Sequence, residues 1–314
     1  MNKNVPLVSV IVPNYNHARY LPERMRSILS QTYPHYEIIL LDDHSTDNSV
    51  EVLNGFRHDP HVSTILVNEK NSGSPFVQWG LGIKQAKGEI IWIAESDDTC
   101  ESNFLETLVQ AYLSVPNCAI AYCSTTWINE NGEPQPTPVW HPYDELHTGK
   151  DFIKNRLPYG TDIWNASSAI FSRDIAEQIP EDYQGFRNSG DHLFWLELAR
   201  FPGSNVVSIY KPLNYCRQHG NNVSSRKDRF LTIFSEEHSI YEKQVRYGYI
   251  KGLKKAFVTD RYRSKILSKP FQNEEDRQNA LEIWGVRKPL QWICVKIGAI
   301  LFRLLFKVPY SNKK

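Results

Sequence analysis

Apolar runs alternate with amphipathic stretches over the first 115 residues. Val8-Ser-Val-Ile-Val12 is short, β-branched and closed by Pro13-Asn14, which predicts a buried strand. Leu21 to Leu29 repeats its apolar side chains at helical spacing, with Leu21, Met25, Ile28 and Leu29 on one face. Glu37 to Leu41 reads as a second strand, Ser49 to Phe56 as a helix capped by Asp47, and Val62 to Val67 as a third strand. Pro75 to Lys87 is helical and stops at Gly88. Glu89 to Ala94 is the next strand, and Asn103 to Ser114 the next helix. Strand and helix in regular alternation predict a mostly parallel α/β sheet with right-handed crossovers. Continuously apolar strands fit burial on both faces.

Beyond Val115 the pattern loosens. Ala119 to Cys123 and Ala166 to Phe171 read as strands, and Asn131-Gly132 as a tight turn. Pro134 to Pro142 is a proline-rich loop. His192 to Arg200 (HLFWLELAR) is helical, Val206 to Ile209 a strand, and Tyr215 to Arg226 a polar loop. The chain therefore divides into a first half (1–120), a second lobe on the same sheet (121–225) and a C-terminal region (226–314).

Charge sharpens that division. The net charge is only +1. However, Lys251 to Lys314 holds 15 Lys and Arg against 5 Asp and Glu, a balance of +10, and the first 250 residues hold 21 against 30, a balance of −9. A basic tail on an acidic body predicts an anionic surface as partner for the tail alone, and no nucleic acid for the body. Within the tail, Leu290 to Tyr310 is apolar enough to resemble a membrane span, but Lys296, Arg303 and Lys307 fall along one stripe. Burying them mid-bilayer is costly, so an amphipathic helix lying in the interface is expected, with Trp284 and Trp292 suited to that depth. Five cysteines without CxxC spacing predict reduced thiols and hence a cytoplasmic protein, and the N-terminus shows no apolar signal segment.

Ligands of open α/β sheets bind at the carboxyl ends of the strands. Three predicted strands end there in polar residues: Asn14-Tyr15-Asn16, Asp42-Asp43, and Glu95 to Asp98. Capping accounts for any one of these groups, but less readily for all three. There is no dinucleotide fingerprint, since Gly80-Leu-Gly82 lies inside a helix, and no P-loop, zincin or nucleophile-elbow motif. The three acids Glu95, Asp97 and Asp98 must repel one another, and no basic clamp lies nearby in sequence. A hard divalent cation, Mg²⁺ or Mn²⁺, would relieve that repulsion and offset charge on a phosphate leaving group. A nucleotide diphosphate carrying a transferable group fits such a site.

The stretches VSVIVPNYNHARYLPERMRSILSQTYPHYEIILLDDHSTDNS and NEKNSGSPFVQWGLGIKQAKGEIIWIAESDD resemble family 2 glycosyltransferases, inverting enzymes of the GT-A fold. The resemblance spans roughly residues 7 to 225. It implies that Pro13, Tyr15 and Asn16 line a nucleotide pocket, with Tyr15 against the base. Asp43 would hydrogen-bond the base. Asp97 would meet the ribose, diphosphate or metal, with Asp98 as the other metal ligand. Glu95 stands where the family has Asp, and His44 where it often has Gly. Asp191 in SGDHLFWLELA matches the acid that deprotonates the acceptor hydroxyl. Arg217 and His219 in YCRQHGNN match a polar loop that covers the diphosphate. Trp164 and Trp195 are candidates to stack on sugar faces, although core packing suits Trp195 better. The implied activity is metal-dependent sugar transfer from a nucleotide diphosphate donor, expected to be a UDP-sugar, to a glycan or lipid-linked acceptor. A sugar-1-phosphate nucleotidyltransferase and a catalytically silent scaffold are the rivals. The first lacks its Gly-rich basic loop here, where PNYNHARY stands instead.

Overall fold

A computed structural model describes residues 5–137, 143–220 and 227–306. In the first part of the chain, β1 (Val8–Asn14), α1 (Leu21–Leu29), β2 (Tyr36–Asp42), α2 (Ser49–Gly55), β3 (Val62–Val67), α3 (Pro75–Gln85), β4 (Ile90–Ile93), β5 (Thr99–Cys100) and α4 (Phe104–Ser114) follow the predicted alternation closely. Then come β6 (Cys118–Ile128), β7 (Pro134–Gln135), β8 (Glu145–Thr148), α5 (Gly149–Asn155), β9 (Ala169–Ser172), α6 (Arg173–Ala176), α7 (Gly190–Ala199) and β10 (Asn205–Arg217). The strands form one sheet in the order β3-β2-β1-β4-β9-β6-β10-β5, with β7 on β6 and β8 on β10. β1 to β4 are parallel, whereas β9 runs antiparallel to both β4 and β6.

Pro13 sits inside the central strand β1 because its missing N–H falls where no partner needs it. The pairing of β1 with β4 ends at Ile11–Ile93, and Pro13 lies beyond it. Gly82 of α3 packs on Ile11, where a Cβ would come within 2.4 Å of the side chain. Gly82 therefore serves close helix–sheet packing, whereas Gly80 leaves room for the Gln184 side chain. Asp47 does not cap α2. Asn48 holds that position, and Asp47 instead accepts from the backbone N–H groups of Ser49 and Ala18.

The chain separates into two compact units. One comprises the residues up to Phe152 together with Asp162–Gly220, and the other Ile153–Thr161 with the residues after Gly220. Residues 153–161, assigned by sequence pattern to the second lobe, thus group with the C-terminal unit. The expected boundary at 225 lies outside the described residues. In the C-terminal unit α8 (Phe230–Arg246), α9 (Leu253–Ser268), α10 (Glu274–Ile283) and α11 (Pro289–Phe306) follow one another. Trp284 is a core residue there, not an interfacial one. Its ring stacks on Tyr262 at 4.0 Å and its indole N–H donates to Phe234 O at 3.0 Å.

α11 presents its basic stripe inward. Lys296 Nζ lies 3.3 Å and Arg303 4.0 Å from the carboxylate of buried Asp260 on α9. Gly298 permits the close approach, since a Cβ there would meet Ala256 at 2.7 Å. The outward side carries Leu290, Ile293, Ile297, Leu301 and Leu304, all exposed. Lys307 lies outside the described residues.

Candidate functional site

The loops after β1, β2 and β4 meet at one edge of the sheet. His17, two residues beyond Tyr15, places Nδ1 2.9 Å from Ser96 Oγ. That contact joins the end of β1 to the acids of β4. Tyr15 is 46% exposed. Asn16 adopts a left-handed backbone (φ 58°), and its side-chain oxygen accepts from the N–H groups of Thr46 and Asp47. His44 is also left-handed (φ 63°), which explains why a glycine would suit that position.

Asp43 is held by its own chain. Its carboxylate accepts from Asn68, from the N–H and hydroxyl of Ser72, and from Gln78 of α3. These bonds leave little acceptor capacity. A base N–H would have to replace one of them.

Each acid at the end of β4 is relieved in its own way. Glu95 Oε1 accepts from the Trp79 indole N–H at 2.9 Å. Burial, and then the charge of Asp97, push its pKa up to about 8, so Glu95 holds a proton at neutral pH. Asp98 is 2% exposed. Its oxygens accept from Asn165 at 2.9 Å, the Ser167 hydroxyl at 2.7 Å and the Arg217 backbone N–H at 3.0 Å. Burial and Asp97 raise its pKa to about 6. Asp97 behaves oppositely: burial works to raise its pKa, but the hydrogen bond from His219 and the charges of His17 and His219 bring it below the usual carboxylate range. His219 Nε2 stands 3.0 Å from Asp97 Oδ2.

Donors from the protein itself meet all three acids, although the charge of Asp97 still raises the pKa of Glu95 and Asp98. Basic groups lie close as well, brought from far along the chain. The Arg24 guanidinium sits over the Trp92 ring at 4.8 Å and acts on Glu95 and Asp98. Arg217 donates to Asp97 O and to Glu23 Oε2. Arg217 is 1% exposed, so it braces the acid loop rather than covering a ligand.

Among the described residues, one group could hold a metal ion: the ligand atoms of His17, Asp97 and His219 lie within 4.8 Å of one another. Asp98 is displaced from that role because its oxygens are already taken. His17 was missed by sequence reasoning, although it stands directly after the polar end of β1. Ser167 and Asn165 were missed too, since a short NASS segment carries no signal for a partner 67 residues away.

Asp191 lies in the first turn of α7, one residue after the start at Gly190. Gly190 is pressed onto Phe76, since a Cβ would come within 2.4 Å of the ring. Phe76 in turn precedes Gln78 and Trp79, which hold Asp43 and Glu95. This packing brings the start of α7 to the same helix, α3, that braces the acids. Trp195 is fully buried against Trp79 and Phe194, so it packs the core and offers no sugar platform. Trp164 lines a cavity of about 390 Å³.

Comparison with known proteins follows the same lines. The family model described as "Glycosyl transferase family 2" matches residues 9–179. Glycosyltransferase GlyG of Streptococcus pneumoniae is 45% identical over 104 residues, which is 33% of this chain and 34% of GlyG. The putative teichuronic acid biosynthesis glycosyltransferase TuaG of Bacillus subtilis is 27% identical over 222 residues, covering 71% of this chain and 83% of TuaG. Among solved structures, S. aureus TarS 1-349 in complex with UDP-GlcNAc superposes with a TM-score of 0.67 at 19% identity, over 96% of this chain and 87% of that one. The fold is thus the GT-A fold, with a helical C-terminal region.

Proposed function

The chain belongs to glycosyl transferase family 2, and from that premise we propose that it moves a sugar, with inversion, from a UDP-linked donor onto a hydroxyl of a glycan or lipid-linked acceptor. The observation that carries this reading is the meeting of the Tyr15–His17 loop with Asp97 and His219 at one strand edge. A base can lie against the exposed Tyr15 ring, and the diphosphate can reach the imidazoles of His17 and His219. The UDP-GlcNAc held by the S. aureus structural neighbour supports a UDP-sugar.

Asp191 is the proposed general base. A carboxylate in the first turn of a helix stays ionised with the help of the helix dipole. As the acceptor oxygen attacks the anomeric carbon from the face opposite the leaving diphosphate, its proton passes to Asp191. Such proton removal is worth about 10²–10⁴-fold in rate. His219, positioned by Asp97, stabilises charge growing on the departing phosphate oxygens. His17, Asp97 and His219 would hold a divalent ion. Their mixed imidazole–carboxylate set suits Mn²⁺ better than Mg²⁺, which seeks oxygen ligands. When bound, the ion supplies further positive charge at the diphosphate.

α11 supports a peripheral position at a membrane. It is long and apolar enough to cross a bilayer. Its two described basic side chains, however, are engaged by Asp260, and its apolar face is turned outward, which suits a helix lying in the interface.

Calorimetry of UDP with and without Mn²⁺, coupled to UDP release from UDP-GlcNAc, tests the reading. Metal-enhanced UDP binding and UDP release are expected. Pyrophosphate release from UTP and a sugar 1-phosphate would replace it with nucleotidyl transfer, and absence of any uridine nucleotide affinity would reduce the chain to a scaffold.

A further inference from the structure

Tyr20 stands at the N-cap of α1, a position that favours a small side chain able to accept a hydrogen bond from the first helical turn. Its side chain makes no such bond. An aromatic residue placed against the local rule points to a task elsewhere in the fold.

The ring contacts of Tyr20 define that task. It stacks on His219, with centroids 5.4 Å apart and planes 30° from parallel. It meets the His17 imidazole edge to face at 6.0 Å, and the two imidazoles meet each other edge to face at 5.6 Å. Three rings thus close on one another, and Asp97 joins them through His219 Nε2 at 3.0 Å. The backbone ties the group to the helix start, since the N–H groups of Tyr20 and Leu21 donate to His17 O at 2.9 and 3.1 Å. The guanidinium groups of Arg217 and Arg19 lie 4.9 and 5.4 Å from the Tyr20 centroid. Cations are drawn to the face of a tyrosine ring. Arg217 is buried and bonded to Asp97 O, so the ring rests against a fixed group.

An imidazole needs such support. Rotation about the bond between Cβ and the ring is broad, with no sharp preferred angle. The bond from His219 to Asp97 fixes one nitrogen but lets the ring plane swing around it. A stacked ring holds the plane. The same holds for His17, whose Nδ1 contact with Ser96 Oγ fixes only one atom.

We propose that Tyr20 is a positioning residue whose ring, rather than its hydroxyl, sets the planes of His17 and His219, so that both imidazoles converge with Asp97 on one divalent cation. The inference rests on the reading of His17, Asp97 and His219 as an ion site. Partners that orient metal-ligating histidines are worth about 10–100-fold in metal affinity.

Two measurements on the full chain test this: NMR of the imidazole protons without metal, and titration with Mn²⁺ alone, followed by the electron paramagnetic resonance of the free ion. In the native chain and in Tyr20→Phe, the His219 ring protons should lie upfield of their position in Tyr20→Leu, because only an aromatic face shields them. Mn²⁺ affinity should fall about 10–100-fold in Tyr20→Leu and return to within about threefold of native in Tyr20→Phe. Leucine fills much of the same space, so a role in packing alone would leave Tyr20→Leu near the native values. Unchanged His219 signals in Tyr20→Leu, or an equal loss of Mn²⁺ affinity in both variants, overturns the proposal. The two readings fail separately. If the native chain binds no Mn²⁺, the ion reading falls, while a retained shift difference still assigns the ring its hold on His219. If the native chain and Tyr20→Leu bind Mn²⁺ equally, the ion reading stands and the role of Tyr20 falls alone.

Discussion

The two units each crowd like charges, and they manage them by different means. At the end of β4, three acids share one loop. One keeps its proton beside Trp79, one is wrapped by Asn165, Ser167 and a backbone N–H, and one faces an imidazole. In the C-terminal unit it is cations that crowd. Lys254 and Arg261 lie over the Tyr159 ring, and Lys265 Nζ donates to the Tyr159 carbonyl at 2.7 Å. Burial, and after it neighbouring cations, lower the pKa of Lys254 and Lys265. The acids are held by donors fixed in place, which leaves Asp97 ionised and only partly covered. The cations are held by carbonyls and ring faces, which satisfies them without aiming any of them at a ligand. The first arrangement builds a site; the second builds a core.

The largest expected effect breaks the chemistry of the first unit while leaving the three acids after β4 in place. Asp191→Asn should fold, bind UDP as before and lose about 10²–10⁴-fold in transfer rate. Near-normal turnover in a UDP-release assay would remove Asp191 as base. Next, Asp97→Asn should weaken Mn²⁺-dependent UDP affinity by about 10–100-fold, as losses around a metal site typically do. Equal UDP affinity with and without Mn²⁺ in both proteins would show that the loop does not hold an ion. In the second unit, Asp260→Asn leaves Lys296 and Arg303 without their acid, so a stability loss of about 1–3 kcal/mol is expected, with little effect on UDP binding. Urea denaturation measures it.

Smaller effects sharpen the contrast. The Lys254 pKa is lowered from 10.5 to about 8. The unfolded chain therefore binds the extra proton between those values, and stability should rise with pH through that window. Lys254→Met should flatten the rise; an unchanged slope would mean that this lysine is not strained by its surroundings. Last, His44→Gly removes a side chain from a left-handed position and should change stability by no more than about 1 kcal/mol. A larger loss would show that the contact of His44 Nδ1 with Asn68 O, at 3.3 Å, matters more than backbone strain.

The alternating pattern made the first half legible because buried parallel strands and amphipathic helices are local signals. Leu21–Leu29 and Val62–Val67 were readable to the residue. β10 was not: its pattern predicts Val206 to Ile209, but the strand runs to Arg217. Its second half is polar, and its pairing partners on β6 are distant in sequence. The acids of the site were visible because charge after an apolar run is conspicuous. Their partners were not, since Ser167, Asn165 and Arg217 come from segments whose approach depends on the folded sheet. The direction of the basic stripe on α11 was also hidden, because periodicity shows that a stripe exists but not which neighbour it faces.

Arg217 reaches far along the chain. From the last residue of β10 it touches Glu23, Asp97, Asp98, Asn129 and Glu130. During synthesis that arginine is added 119 residues after Asp98, so the growing chain must carry these acids unbraced over that stretch. Any truncation ahead of residue 217 would strand them in that state, and such a fragment should aggregate or be degraded rather than work as a smaller enzyme.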